Sequence, residues 1–448
     1  MKSELNRREF IKSAAVTATT FTILQAGSAR TYAANEKLNI ASVGAGGQAG
    51  GDIRSLSSEN IVGLCDVDWK RAAGSFKHYP KAKRFKDYRK MLEAMDKEID
   101  AVIVGTPDHH HFHASLNAVK RGKHVYCEKP LTHSVWEARE LTKAARAAKV
   151  STQMGNQAQA SEETRRLQEF IMDDAIGPVR NVHVWTDRPS LGLFGEYWPQ
   201  GVARPSETPP VPDSLDWDMW LGPAPERPYH PAYLPTKWRG WWDFGTGALG
   251  DIACHYFDPI CRALKLKAPI SIEASSTRGN KETYPLGSMI TYNFPARKPM
   301  PPVEMVWYDG GLRPPRPTEL KDKDLMGDNG LLLIGEKGIL LTDLRRWRLF
   351  PDELAKDYGE PPKKLARSPG HHQEFIDACK GGTPAGSNFD WAGPMTETVL
   401  LGNVPLRNEL RPHLTRVKLQ WDTEKLSFSN YPVADQFLRR DYRKGWEV

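Results

Sequence analysis

The stretch "LNIASVGAGGQAG" (residues 38–50) decides the fold. Its first half is a short apolar run of strand character, and its second half is a glycine-rich turn that opens a helix. The glycines fall as Gly44-x-Gly46-x-x-Ala49, the spacing of a dinucleotide-binding turn. Gly44 permits the tight turn, Gly46 lets backbone approach a pyrophosphate, and Ala49 takes the close-packing position between helix and strand. Asp66 closes the next apolar run, "IVGLCDVD" (61–68), 20 residues after Gly46. A carboxylate there can bind ribose hydroxyls and repel a 2′-phosphate, which favours NAD over NADP.

Outward from this turn, "DAVIVGTPD" (100–108), "KHVYCEKP" (123–130) and "VSTQMGNQ" (150–157) are further strands separated by helical patterns. That alternation implies a doubly wound parallel sheet over 34–155. A second, α+β domain follows over 156–412, beginning with a helix at "EETRRLQEFIMDDAIG" and a strand at "VRNVHVWT". Alternating runs at 270–275, 287–293 and 303–308, with "GLLLIGEKGILLTD" (330–343), predict a large open, mostly antiparallel sheet. One face of it is expected to be exposed or self-associating, giving a homo-oligomer. Residues 187–237 hold eleven prolines, too many for regular structure, and seven of the fourteen tryptophans fall between Trp185 and Trp242. Such a loop is either an aromatic wall over a pocket or an oligomer interface. Residues 371–412 are helical in pattern, with His371 and His372 starting a helix; 413–448 form a tail, read as an arm over a neighbouring subunit.

Composition excludes several classes. Of 448 residues 40% are hydrophobic and 26% charged, which describes a folded chain. The formal charge is +7, but residues 1–33 contribute +3 of it, leaving too little for a nucleic-acid binder. Five cysteines without a CxxC pair, mostly in apolar runs, imply buried thiols rather than disulfides or a metal site. The N-terminal "NRREFIK", with Arg7 and Arg8 before an Ala/Thr-rich stretch, resembles a twin-arginine export signal spanning 1–33. It has Asn6 where Ser or Thr is more usual, and it directs the mature protein to the periplasm. No stretch reaches the roughly 18 apolar residues of a membrane helix, so no membrane anchor is expected.

Three further motifs carry a family resemblance. "TPDHHHFH" (106–113) and "CEKPL" (127–131) stand just past strand ends, where ligands bind in such sheets. "GALGDIACH" (247–255) sets Asp251 four residues before His255, on one face of a helix. An acid in a first turn followed by a surface histidine would share that spacing. Together with the glycine turn, these motifs resemble the Gfo/Idh/MocA oxidoreductases, above all a secreted bacterial branch marked by "KWRGWWDFGTGALGDIACH" (237–255). The resemblance implies an NAD-binding Rossmann domain and a substrate-binding second domain whose last helices return to pack on the first. It implies that Glu128 lies near the nicotinamide ribose and that Lys129, aimed by an often cis bond to Pro130, reaches the reacting hydroxyl. Asp251 and His255 match the family's acid–imidazole pair. Thr106, Pro107 and His109 match the segment along the cofactor, Trp238 and Arg239 a pair beside it, and Asn156 a strand end at the cleft.

The chemistry fits those roles. Oxidising a secondary alcohol removes a hydroxyl proton as hydride leaves for NAD⁺; an imidazole suits the base, and a lysine ammonium steadies the alkoxide. Asp251 would orient His255 or hold a neighbouring hydroxyl. The cluster His109, His110, His111 and His113 invites a zinc reading, since alternation would place three of them on one edge, but no nearby Cys or carboxylate has ligand spacing, and no metal is expected. An exported enzyme meets little free NAD and must reset its cofactor within the site. The substrate is then a carbohydrate or glycoside undergoing oxidoreduction with recycled cofactor. The alternatives are redox-neutral glycoside cleavage by oxidation, elimination, hydration and reduction, and a non-catalytic sensor that binds sugar and NAD.

Overall fold

The computed structural model describes residues 36–190, 195–321, 326–411 and 417–448. The expected export signal and the boundary at 412 lie outside the described residues. Residues 37–448 form one compact unit built on two sheets.

The first sheet has six parallel strands: β1 (Asn39–Val43), β2 (Asn60–Cys65), β3 (Lys83–Phe85), β4 (Ala101–Val104), β5 (His124–Glu128) and β6 (Thr152–Gly155). Their order is β3-β2-β1-β4-β5-β6, so the strand order, though not the strand direction, reverses between β1 and β4. That switch point is where ligands bind in open α/β sheets. Helices on both faces explain why β4, Ala-Val-Ile-Val, is buried at every residue. The helix Val135–Ala148 begins with a reciprocal cap: Glu137 N–H donates to Ser134 Oγ at 3.3 Å, and Ser134 N–H donates to Glu137 Oε2 at 3.0 Å.

Two local readings are corrected. β2 stops at Cys65, three residues before the expected end, so Asp66 stands just beyond the strand. The histidine cluster lies on the helix Asp108–Lys120 rather than along an edge, because Pro107 precedes the first turn and Asp108 occupies it.

The second sheet adds β7 (Val179–Trp185), β8 (Ser271–Ser276), β9 (Ser288–Phe294), β10 (Val303–Tyr308), β11 (Gly330–Gly335), β12 (Ile339–Thr342), β13 (Trp347–Phe350), β14 (Leu419–Asp422) and β15 (Ser427–Phe428). Its order is β13-β12-β11-β7-β10-β9-β8-β14-β15, antiparallel throughout except between β7 and β10. The helix Gly247–Ala263 packs with the helix Glu162–Met172 in the core that this sheet shares with the first. On the opposite face, Trp185, Val306, Tyr308, Leu332 and Leu341 are covered by Leu320 and Met326 of the chain's own β10–β11 connection. The face expected to lie open is sheltered there. The helix Phe389–Leu401 returns to pack against Val135–Ala148 and β6. All five cysteines are buried and free. Among the described residues no helix is long and apolar enough to cross a membrane.

The tail folds onto its own chain. Trp446 is 6% exposed, edge-on to His110 and His113 and against Tyr88. Its carbonyl lies 2.9 Å from His113 Nε2, and Arg443 Nε donates to Gly222 O at 2.9 Å. Trp446→Ala should therefore destabilise the fold by about 3–5 kcal/mol, read from urea unfolding followed by circular dichroism.

Candidate active site

A cleft of about 610 Å³ opens at the C-terminal ends of the parallel strands. One end is made by the glycine turn. Gly44 has φ +88°, and a Cβ there would sit 2.8 Å from Gly105 O, so only glycine fits. The helix Gly47–Ser55 begins without a side-chain cap or a first-turn carboxylate, leaving its N-terminus suited to an anion. Asp66 Oδ2 accepts from Ala45 N (2.8 Å) and Gly46 N (3.2 Å), and Oδ1 accepts from Asp68 N (2.9 Å). Burial raises the Asp66 carboxyl against the pull of these donors. The narrow backbone, open helix start and carboxylate at the second strand's end fit a dinucleotide.

Ala49 sits behind the cleft. A Cβ on Gly105 would lie 2.6 Å from Ala49 Cβ, so the small pair sets how closely helix and sheet dock. Thr106 and Pro107 line the cleft, and His111 ties their segment to the lysine loop. Its Nδ1 is 2.7 Å from Pro130 O and its Nε2 2.8 Å from Thr106 O. Burial opposes charge on His111, but Cys127, Asp108 and the Pro130 carbonyl outweigh it and push the imidazole up to about 10. His109 points away from the cleft: its Nε2 is 2.9 Å from Trp220 O and its Nδ1 3.2 Å from Phe244 O. Asn156 is fully buried and also outside the lining; its neighbour Gln157 faces the cleft and donates to Glu128 Oε1 at 2.8 Å. Burial and nearby Asp52 push Glu128 up to about 8.

The other end is built on the helix Gly247–Ala263. The small residues at its start are required by close packing: a Cβ on Gly247 would lie 2.7 Å from the Tyr284 ring, and one on Gly250 would collide with Thr246 Oγ1. Thr246 Oγ1 in turn donates to Asp108 Oδ2 at 2.6 Å, and burial pushes that carboxyl up to about 6. Asp251 Oδ1 accepts from Lys129 Nζ at 2.7 Å and from Arg239 Nε at 2.8 Å; Lys129 Nζ also donates to Asp251 O at 2.6 Å. Although burial works against ionisation, the two cations hold Asp251 well below the usual carboxylate range.

His255 lines the cleft one turn on. Burial, aided by the charge of Lys129, lowers its imidazole to about 4, and no hydrogen bond to its ring occurs among the described residues. Asp251 thus grips cations instead of orienting His255, because two positive groups meet its carboxylate first.

Lys129, Asp251, His255, Glu128, Arg239, Asp66, Gly44 and Gly46 therefore share one cleft, while His109, Asn156 and Ala49 stand behind it. Arg188, Tyr197, Asp108 and Gln157 line it without having been singled out from sequence. Asp108 was within reach, beside Thr106 and Pro107; Arg188 and Tyr197 lie in a stretch without periodicity. The proline-rich stretch and the residue that follows it supply a wall, with Tyr197 and Trp238 lining the cleft.

Residues 38–156 match the family model described as "Oxidoreductase family, NAD-binding Rossmann fold", and 194–296 match "Oxidoreductase family, C-terminal alpha/beta domain". The chain belongs to this Gfo/Idh/MocA family, and its first sheet is an NAD-binding Rossmann domain. It is 26% identical over 169 residues to 1,5-anhydro-D-fructose reductase of Ensifer adhaerens, covering 37% of this chain and 38% of that protein. It is 27% identical over 148 residues to glucose-6-phosphate 3-dehydrogenase of Bacillus subtilis, covering 32% and 41%. The chain thus spans about two-fifths of the length of these relatives. The fold resembles that of the WlbA dehydrogenase from Bordetella pertussis, solved with NADH and UDP-GlcNAcA. That likeness has a TM-score of 0.57 and 16% identity, over 86% of this chain and 99% of the other.

Asp251→Asn should leave Lys129 and Arg239 without their shared anion and cost about 3–5 kcal/mol at pH 7. A lowered carboxyl contributes fully above its unfolded value near 3.8 and loses that contribution as pH falls below it. The stability gap to the unaltered protein should accordingly narrow between pH 4 and pH 2, measured by urea unfolding.

Proposed function

We propose that this Gfo/Idh/MocA oxidoreductase acts on a secondary hydroxyl of a sugar or glycoside, using NAD that it retains through the cycle. The observation that carries this reading is the pairing of a neutral, unengaged imidazole on His255 with a fixed ammonium on Lys129. A substrate hydroxyl between them would give its proton to His255 while Lys129 donates a hydrogen bond to the oxygen that becomes an alkoxide. Asp251 and Arg239 keep Lys129 from swinging away. NAD held at the glycine turn and Asp66 would supply the hydride acceptor. Aromatic side chains of the wall, Tyr197 and Trp238, suit the C–H faces of a sugar ring. The names of the two curated relatives, both enzymes of sugar chemistry, support the same substrate class. The carboxylate of Asp66 at the glycine turn supports NAD over NADP.

Residues 1–33 lead us to propose export by the twin-arginine route, which carries folded proteins and would move the cofactor with the chain. Purified protein should then release nicotinamide nucleotide on denaturation. With a panel of glycosides, product without accumulating NADH at 340 nm would mark internal recycling, including redox-neutral cleavage. Steady NADH formation on added NAD⁺ would mark a simple dehydrogenase, and no turnover with any sugar would overturn the enzymatic reading.

Two kinetic outcomes are expected. Lys129→Ala and His255→Ala should each lower turnover by roughly 10²–10⁴, with the double variant far less impaired than the product of the two effects. Because His255 must be neutral to accept a proton and is lowered to about 4, kcat/KM should hold from pH 7 downward and fall only near pH 4. Initial rates across that range, on protein shown to stay folded, check this.

A further inference from the structure

We propose that Arg188 is a specificity residue that receives a carboxylate on the substrate, so that the substrate class is a sugar acid. This rests on the sugar reading above and narrows it.

Four other arginines of this chain show how a guanidinium is used here. Arg139, Arg204, Arg262 and Arg367 each grip the two oxygens of one carboxylate through Nε and Nη2. This is the side-on fork, which matches a carboxylate in spacing and plane. Arg188 differs. Its Nη1 is held by Asp187 Oδ1 at 2.7 Å and lies 3.4 Å from Ser190 O. Those contacts fix the plane of the guanidinium while leaving the side-on edge free. Nε is buried without a hydrogen-bond partner, and Nη2 has none among the described residues. A buried donor left unpaired is costly, and a ligand that completes it gains what the free protein lacks.

Arg188 is itself part of the cleft wall. It lines the same cleft as Lys129, Asp251 and His255, with its guanidinium 5.4 Å from the Tyr197 ring. The Trp198 ring lies 5.2 Å from that of Tyr197 and 5.9 Å from the guanidinium of Arg239, which grips Asp251, so Arg188 belongs to the catalytic end. The cation at the cofactor end is a different one, Arg71, packed against Gly46 and Gly47. A neutral sugar offers Arg188 only hydroxyls, whereas a carboxylate brings opposite charge to the unengaged Nη2 and, once the guanidinium turns its Nε toward the cleft, a second oxygen for the fork.

The test uses the full chain with its bound NAD and two probes, methyl β-D-glucuronide and methyl β-D-glucoside, which differ by the carboxylate. Binding is followed by tryptophan fluorescence, to which Trp238 in the wall should respond. The glucuronide should bind at least about tenfold more tightly. Arg188→Met should erase that difference, and Arg188→Lys, which keeps a charge for Asp187 but lacks the fork, should retain only part of it. Cofactor content and melting temperature verify the fold of each variant; if the methionine variant does not fold, the lysine variant decides. Equal binding of the two probes, or a full difference surviving in a folded variant, overturns the assignment and leaves the oxidoreductase reading standing. Binding of neither probe overturns both.

Discussion

One buried carboxylate holds the site together. Asp251 binds Lys129 from the end of β5 and Arg239 from the stretch before its own helix, so three separate segments meet on a single oxygen. Removing three charges from water is expensive, and their attraction repays it only when geometry is good and the remaining donors are satisfied. Here the geometry is good: both contacts are under 3 Å, and the lysine gains a backbone carbonyl as well. Such a cluster adds little net stability compared with apolar packing. What it supplies is position, a fixed ammonium at the mouth of the Rossmann cleft.

The rest of the second half of the chain serves that position. For Asp251 to reach the lysine, the helix Gly247–Ala263 must start hard against Tyr284 and Thr246, and only glycine tolerates that approach. Thr246 is pinned to Asp108 at the first turn of another helix, which also carries the imidazole joining Thr106 to Pro130. The helix bearing His255 and the loop bearing Lys129 are therefore linked twice, once through Asp251 and once through Asp108 and His111. The tail reinforces the outer side of this arrangement, with Trp446 packed on His110 of the same helix.

What was legible in the sequence follows from how local each signal is. The glycine turn, Asp66 and the parallel sheet are written in consecutive residues whose spacing is set by backbone geometry. The pairing of Lys129 with Asp251 spans 122 residues, and periodicity carries no trace of it; only resemblance placed both in one cleft. The histidine run shows the limit of local reading. Its alternation with Phe112 suggests an edge, but on a helix each residue turns by about 100°. His109 turns to the carbonyls of Trp220 and Phe244, and His110, although it borders the cleft, also reaches Trp220 O through its Nε2 at 2.9 Å. Arg188 had no sequence signal, since its role depends on which edge of the guanidinium its neighbours leave free.

The division of charge in the cleft follows from unequal solvation and unequal neighbours. His255 is kept neutral because burial penalises its cationic form and the ammonium of Lys129 penalises it further. Asp251 is kept ionised in the same environment because two cations outweigh its burial. Glu128, equally enclosed but with Asp52 nearby, goes the other way and rises. Groups whose environments drive them apart can take opposite parts in proton transfer at one pH. The same ammonium that would steady a substrate alkoxide also keeps the imidazole free of a proton. Burial and that ammonium together keep His255 neutral, and Asp251 fixes where the ammonium stands.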